Sequence, residues 1–327
     1  MQTFDLVAVG DAILDTFLTI NNETDFCSYN KATNQLMLYA GEKILVDEAS
    51  FMLGGNACNV SVGVKRLGFA TGLIAEFGGD EFAAKLRNGL TQEGVSLDYA
   101  KVTENTPSTF SVGIHVAHER TLFVHHVERA HEMSLDGVVT KWIYLTSMGK
   151  EWEDLYRRVA EYAKKENVKL AFNPGSQQLK DGAEKIKDVL LETDILFINR
   201  DEAEEILYGK VKGPQEKEKP EDLLFRLQRI GCKMICMTDG DKGSFVLDES
   251  GKFYSFGTIE PASYTGKTGA GDSFASGFLG AILYGKDIPD AMKWGSYNAA
   301  AVLEHIGAQT GLLTKEEMER RIAANNV

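Results

Sequence analysis

The sequence predicts an α/β protein in three layers: a mostly parallel central sheet, helices on both its faces, and a small antiparallel β sheet outside them. Three observations carry that expectation. Short apolar runs, each the length of one strand, alternate with helically spaced segments along most of the 327 residues. Two partly polar stretches, 16–53 and 107–127, break the alternation with strand-like patterning. Finally, the small residues Gly269, Ala270 and Gly271 lead directly into Asp272 and a helical pattern.

The opening FDLVAV reads as a buried strand, and VAVGDAILD places Asp11 and Asp15 just past its carboxyl end. Carboxylates there can accept hydrogen bonds from polyol hydroxyls; capping a turn suits Asp11 equally well. In LGGNACN, Gly54 and Gly55 precede the helical NACNVSVGVKRLG. Glycines let backbone approach a ligand closely, and Asn56 or Asn59 offers both donor and acceptor. ATGLIAEFG and DEFAAKLRNGLTQEG continue as strand and helix, and KWIYLTS, VKLAFN, DILFIN and KMICMT read as four later strands. Ligands of such sheets bind at the strands' carboxyl ends.

The stretches 16–53 and 107–127 are expected to pair as an antiparallel lid over that site, an irregular excursion being the plain alternative. The charged segment KVKGPQEKEKP reads as a surface loop. Residues 1–327 are therefore expected to form one domain with a lid.

Farther along, DILFINRDEAEEI ends a strand in Asn199 and sets Glu202 three residues on. This pair can hold a hydrated Mg²⁺ against phosphates; helix capping accounts for Asn199 but not for Glu202. MTDGDKGSF closes another strand with Thr238, Gly240 and Gly243, a turn that meets a nucleotide if the neighbouring loops converge.

TGKTGAGDSF contains Gly-Lys-Thr, the end of a P-loop. A P-loop needs a glycine five residues before Gly266, and Pro261, which lacks an N–H, stands there. The anion site is instead expected at Gly269–Gly271, where small residues expose the first amides of a helix. Asp272 would stay ionised there and accept a proton beside a bound phosphate.

A net charge of −13 without a basic stripe argues against nucleic acid. No apolar run approaches the roughly 18 residues of a membrane span, and MQTFDLVAVGD lacks the basic start of a secretory signal. Four cysteines in so long a chain suggest packed, reduced thiols and a cytoplasmic protein, and the Cys232/Cys236 spacing is poor for zinc.

Taken in order, GGNACNVSVGVKRLG, FGGDEFAAKLRNGLTQEGV, PSTFSVGIHV, ERT, NRDE, TDGDKG, TGAGDSFASGF and the closing GAQ resemble the ribokinase-like (PfkB-type) sugar kinases over nearly the whole chain. The resemblance implies a ribokinase-like sandwich that moves the ATP γ-phosphate to a hydroxyl with Mg²⁺. It implies that Asp272 is the catalytic base and Gly269, Ala270 and Gly271 the anion hole. Asp15, Gly54, Gly55 and Asn59 match acceptor-binding positions, and Asn199 and Glu202 the Mg²⁺-organising motif. Thr238, Gly240, Gly243 and, more loosely, Asn298 match nucleotide-binding positions. Potassium-activated members carry an aspartate six residues before the base. Here Gly266 stands there, followed by Lys267, so the use of a monovalent cation is open: the Lys267 ammonium replaces its charge, or Lys267 is a solvated surface lysine.

Two other readings remain open. A nucleoside kinase would stack its base on lid side chains such as Phe17, Phe26, Tyr29, Met37, Leu38, Tyr39 or Phe51; these equally suit lid packing or a homodimer contact, since exposed strands invite pairing. A non-catalytic binding module would keep the fold without turnover, against which the intact Asp272 speaks. In HHVERAHE, Arg129 could meet an anionic group on a sugar, or form a solvated pair with Glu128. His115, His118, His125, His126 and His131 all fall near the lid, where strand alternation could gather several on one face for a metal ion, although no carboxylate or cysteine spacing supports one.

Overall fold

Residues 2–20, 26–116, 119–209, 218–266 and 268–324 are described in the computed structural model. The chain runs from β1 (Phe4–Val9) through β2 (Ile13–Ile20), β3 (Cys27–Asn30), β4 (Gln35–Leu38) and β5 (Glu48–Gly54) to its first helix, α1 (Asn56–Arg66). Next come β6 (Thr71–Ile74), β7 (Glu76–Phe77), α2 (Glu81–Gln92), β8 (Lys101–Val102), β9 (Phe110–Val116) and β10 (Glu119–His125). The middle comprises β11 (Thr140–Thr146), α3 (Glu153–Glu166), β12 (Lys169–Asn173), α4 (Ser176–Asp181), α5 (Ala183–Glu192), β13 (Ile195–Asn199) and α6 (Arg200–Tyr208). Then follow α7 (Pro220–Gln228), β14 (Met234–Thr238), β15 (Ser244–Leu247), β16 (Phe253–Phe256), α8 (Ala270–Leu283), α9 (Ile288–Leu303) and α10 (Lys315–Ala324).

Eight strands form the central sheet in the order β16-β15-β14-β13-β12-β11-β1-β6. The pairings from β6 to β14 are parallel, and β15 and β16 add antiparallel at one edge. Strand residues are apolar on both faces because both faces are covered. Leu6, Ala8, Tyr144 and Phe197 pack toward α1, α8 and α9, whereas Val7, Val9, Ile143, Leu145 and Leu196 pack toward α3, α5, α6 and α7. The three-layer expectation therefore holds.

The small sheet has the order β10-β9-β2-β5 and is mixed, which corrects the antiparallel expectation. β2 pairs parallel with β9, from Leu14 opposite Phe110 to Ile20 opposite Val116. Between these strands the chain passes through α1, β6 and α2 of the main layers, then re-enters the small sheet in its original direction. A direct hairpin would have reversed it. Asp15 is consequently not in a loop after β1 but within β2, opposite Ser111 of β9.

Candidate active site

The site lies where the carboxyl ends of the central strands meet the small sheet and the start of α8. Gly269 caps α8 with φ at 78°, a left-handed conformation suited to glycine, and a Cβ there would stand 2.4 Å from the Cβ of Ala308. This close approach pins the helix start against the Gly307-Ala308-Gln309 segment. Ala270 and Gly271 form the first turn, and both line a cavity of about 420 Å³.

Asp272 is the third residue of α8, buried to 8 % exposure, and faces the same cavity. Its carboxylate Oδ2 accepts from Asn59 Nδ2 at 2.8 Å. Burial pushes its pKa up to about 6; the Asn59 bond opposes the rise and the charge of Asp15 adds to it. At that pKa Asp272 is a stronger base than an ordinary carboxylate.

Asp15 reaches the cavity from β2, and its Oδ1 accepts from the Ser111 hydroxyl. Burial raises its pKa, against that hydrogen bond and the positive charge of Arg120. Gly54 makes room for it, since a Cβ there would lie 2.0 Å from Asp15 Oδ2. Gly55, with φ at 92°, similarly passes close to the Asp11 carbonyl and lines the cavity. The two glycines therefore seat the acidic residues as much as they open a path for ligand. Asn59 also lines the cavity, but its carboxamide is already engaged: Nδ2 with Asp272, and Oδ1 with Gln309 Nε2 at 2.9 Å. It positions the acid at 272 from beneath.

Asn199 and Glu202 also line this cavity. Asn199 Oδ1 accepts from the Glu202 amide at 2.9 Å, and Glu202 Oε2 accepts from the Asn199 amide at 2.8 Å. This capping box starts α6 and accounts for both residues, where capping had been expected to explain Asn199 alone. Burial drives the Glu202 pKa up to about 7, with the nearby Asp272 charge adding to it. One carboxylate oxygen stays free of that bond, amid oxygen and amide groups. That donor set fits Mg²⁺, which keeps its waters and takes one or two protein carboxylates plus phosphates. No group of three or more His, Cys, Asp or Glu able to hold a metal directly occurs among the described residues.

Thr238, Gly240 and Gly243 line a second cavity of about 660 Å³ with apolar walls that include Ile259, Tyr264, Ala299, Ala300 and Leu303. The two cavities share Thr238, Ala270, Gly271 and Phe274, so the start of α8 separates a polar chamber from an apolar one. Gly243 has φ at 89°, and a Cβ there would lie 2.1 Å from the Phe256 carbonyl oxygen.

Several expectations need correction. Asn298 is fully buried and lines neither cavity; Nδ2 donates to Ser273 O and Ser276 Oγ, and Oδ1 accepts from the Leu313 amide, so it ties α9 to α8. Arg129 is buried against the backbone carbonyls of Glu76 and Pro107 and does not line the cavity. The apolar residues expected to stack a base, Phe17, Phe26, Tyr29, Met37, Leu38, Tyr39 and Phe51, do not line the polar chamber. His115 and His131 are buried separately and His126 faces Asp11 at 3.3 Å, so the histidines do not converge; His118 lies outside the described residues. Lys267 also lies outside them, and beside it Gly266 offers no side chain to a cation.

The sequence reading passed over Arg120, Ser111 and Gln309. Arg120 and Ser111 sit in alternating polar strands whose inward face depends on register, and only the closing GAQ motif signalled Gln309.

Residues 23–315 match the pattern of the pfkB family carbohydrate kinases. The chain belongs to that family. PfkB carbohydrate kinases are phosphotransferases with an alcohol group as acceptor, and this chain is an ATP-dependent member acting on a sugar or nucleoside. It is 23 % identical to the 5-dehydro-2-deoxygluconokinase of Bacillus subtilis, over 99 % of this chain and 98 % of that one. The solved Arabidopsis thaliana ribokinase with ribose and ATP shares its fold at a TM-score of 0.78 and 20 % identity, covering 98 % of each chain. The Methanocaldococcus jannaschii nucleoside kinase also gives 0.78, at 22 % identity, covering 98 % of this pfkB chain and 99 % of that one. No helix among the described residues is long and apolar enough to cross a membrane.

Proposed function

We propose that this pfkB kinase phosphorylates a sugar or sugar derivative, with Asp272 as general base. The observation that carries the reading is the convergence of Asp272, Asp15 and the open start of α8 on one cavity. Phosphoryl transfer leaves a protein chiefly positioning and charge stabilisation. The acceptor hydroxyls bind Asp15, and the reacting hydroxyl faces Asp272, which takes its proton as the new phosphorus–oxygen bond forms. The amides at Gly269, Ala270 and Gly271 receive the transferring phosphoryl group. Thr238, Gly240 and Gly243 border the nucleotide, with the base in the apolar chamber. Asn199 and Glu202 hold hydrated Mg²⁺, which when bound neutralises phosphate charge. The small sheet serves as a lid that excludes water from the reacting centre.

A sugar is favoured over a nucleoside because the polar chamber is walled by Asp15, Asn56, Arg120 and Asn173, groups that hydrogen-bond hydroxyls. The small sheet exposes Phe51 at 50 % and Phe123 at 54 %, and the connection between β4 and β5 exposes Tyr39 at 62 % and Leu45 at 78 %, apolar side chains suited to a second copy of the chain. Four buried free thiols fit a reducing cytoplasm. An ADP-release assay over sugars, sugar derivatives and nucleosides tests the reading: turnover with a sugar-type acceptor supports it, and turnover confined to nucleosides overturns it.

A further inference from the structure

A half-buried guanidinium without an acidic partner is costly, and sites hold such a group in place for an anion. Arg120 projects from β10 into the 420 Å³ cavity. Its hydrogen bond goes to the Thr268 hydroxyl, a neutral partner, and it forms no ion pair with a described carboxylate. Burial lowers its pKa and the charge of Asp15 only partly opposes this. His115, opposite Arg120 in the β9–β10 register, is buried with Nε2 unpartnered. Burial and the Arg120 charge push its own pKa down, so it is neutral and balances nothing.

The other charged groups lining the cavity are Asp15, Glu202 and Asp272, which would together repel an anionic acceptor. Arg120 is the one cation among the described residues that line it. The guanidinium belongs to the acceptor side. It shares a sheet with Asp15, and its charge is felt there. Leu122, two residues along the same face, adds an apolar wall without a competing acceptor atom.

We propose that Arg120 binds an anionic group on the acceptor, a carboxylate or a phosphate ester, so that the kinase acts on acidic sugars in preference to neutral ones. This deepens the sugar-kinase reading and rests on it. A planar, always-charged fork suits either anion bidentately.

The test is calorimetric binding, without ATP, of five- and six-carbon aldonates, keto-aldonates and sugar monophosphates, each beside its neutral parent. The expected result is one anionic class binding about 100-fold tighter than its parents. Arg120→Met should erase that preference to within about threefold, and Arg120→Lys should restore part of it. The aldonate and phosphate arms identify which anion is read. Neutral parents binding as tightly, no anionic probe binding, or Arg120→Met lowering turnover on charged and neutral acceptors alike would each overturn the proposal; the last would assign Arg120 to the phosphoryl group. Anion binding through Arg120 with no ADP release from any acceptor would instead leave this inference standing and remove the sugar-kinase reading.

Discussion

Asn59 donates to Asp272 at 2.8 Å, joining the first turn of α1 to the first turn of α8. This bond favours the charged form of Asp272, and Gln309 fixes the Asn59 carboxamide from the other side. Replacing Asn59 by Ala removes the bond, so the proton affinity of Asp272 rises. The part of the acid limb of the kcat/KM profile that belongs to Asp272 should then move above its starting position near pH 6, with the larger loss of rate at pH 6 and recovery toward pH 8. Steady-state kinetics across pH 5–9 measure it; a uniform loss at every pH would show that Asn59 acts otherwise.

A second expectation concerns the wild-type profile itself. Asp272 has a pKa of about 6 and Glu202 of about 7, and both are required as carboxylates in the proposed mechanism. Activity therefore falls as pH drops through that window, with a slope approaching two protons per molecule below it. In Glu202→Gln the higher limb should vanish and leave a single-proton fall near 6, seen in initial rates at saturating Mg²⁺.

The same burial has a consequence for stability. A carboxylate whose folded pKa is raised from 3.8 to about 6 destabilises the native state once it is ionised. The cost is complete above about 6 and disappears as pH falls below 3.8. Asp272→Asn, whose amide oxygen can still accept from Asn59, should be more stable than wild type by about 1–3 kcal/mol at pH 7.5. The gap should close toward pH 4, as paired thermal melts would record.

The central sheet was legible because its strands are nearly continuous apolar runs, a pattern that burial on both faces requires. Gly269–Asp272 was legible because small residues before a helix have few other uses. The small sheet was read less well. Whether β2 meets β9 parallel or antiparallel depends on the path between them, which no local pattern encodes. Arg120 and Arg129 look alike in a polar, alternating stretch, yet register aims Arg120 into the cavity while Arg129 binds two backbone carbonyls. Gly54 looked like a ligand contact, and its tight neighbour proved to be the Asp15 carboxylate.

The exposed apolar side chains of the small sheet and of the β4–β5 connection predict self-association. Sedimentation velocity should give a dimer for the wild type, and Leu45→Glu combined with Phe123→Glu should give a monomer whose melting temperature changes little. These side chains are 78 % and 54 % exposed, so charging them leaves the core intact. A monomeric wild type would contradict the assignment of this surface.

The most direct measurement is turnover of Asp272→Asn at pH 7.5 with a productive acceptor, beside the affinities for ATP and acceptor. Loss of a general base predicts kcat lower by about 100-fold or more, with both dissociation constants within about threefold of wild type. A variant that turns over at a near-normal rate would contradict the role given to Asp272, and with it the mechanism built around the start of α8.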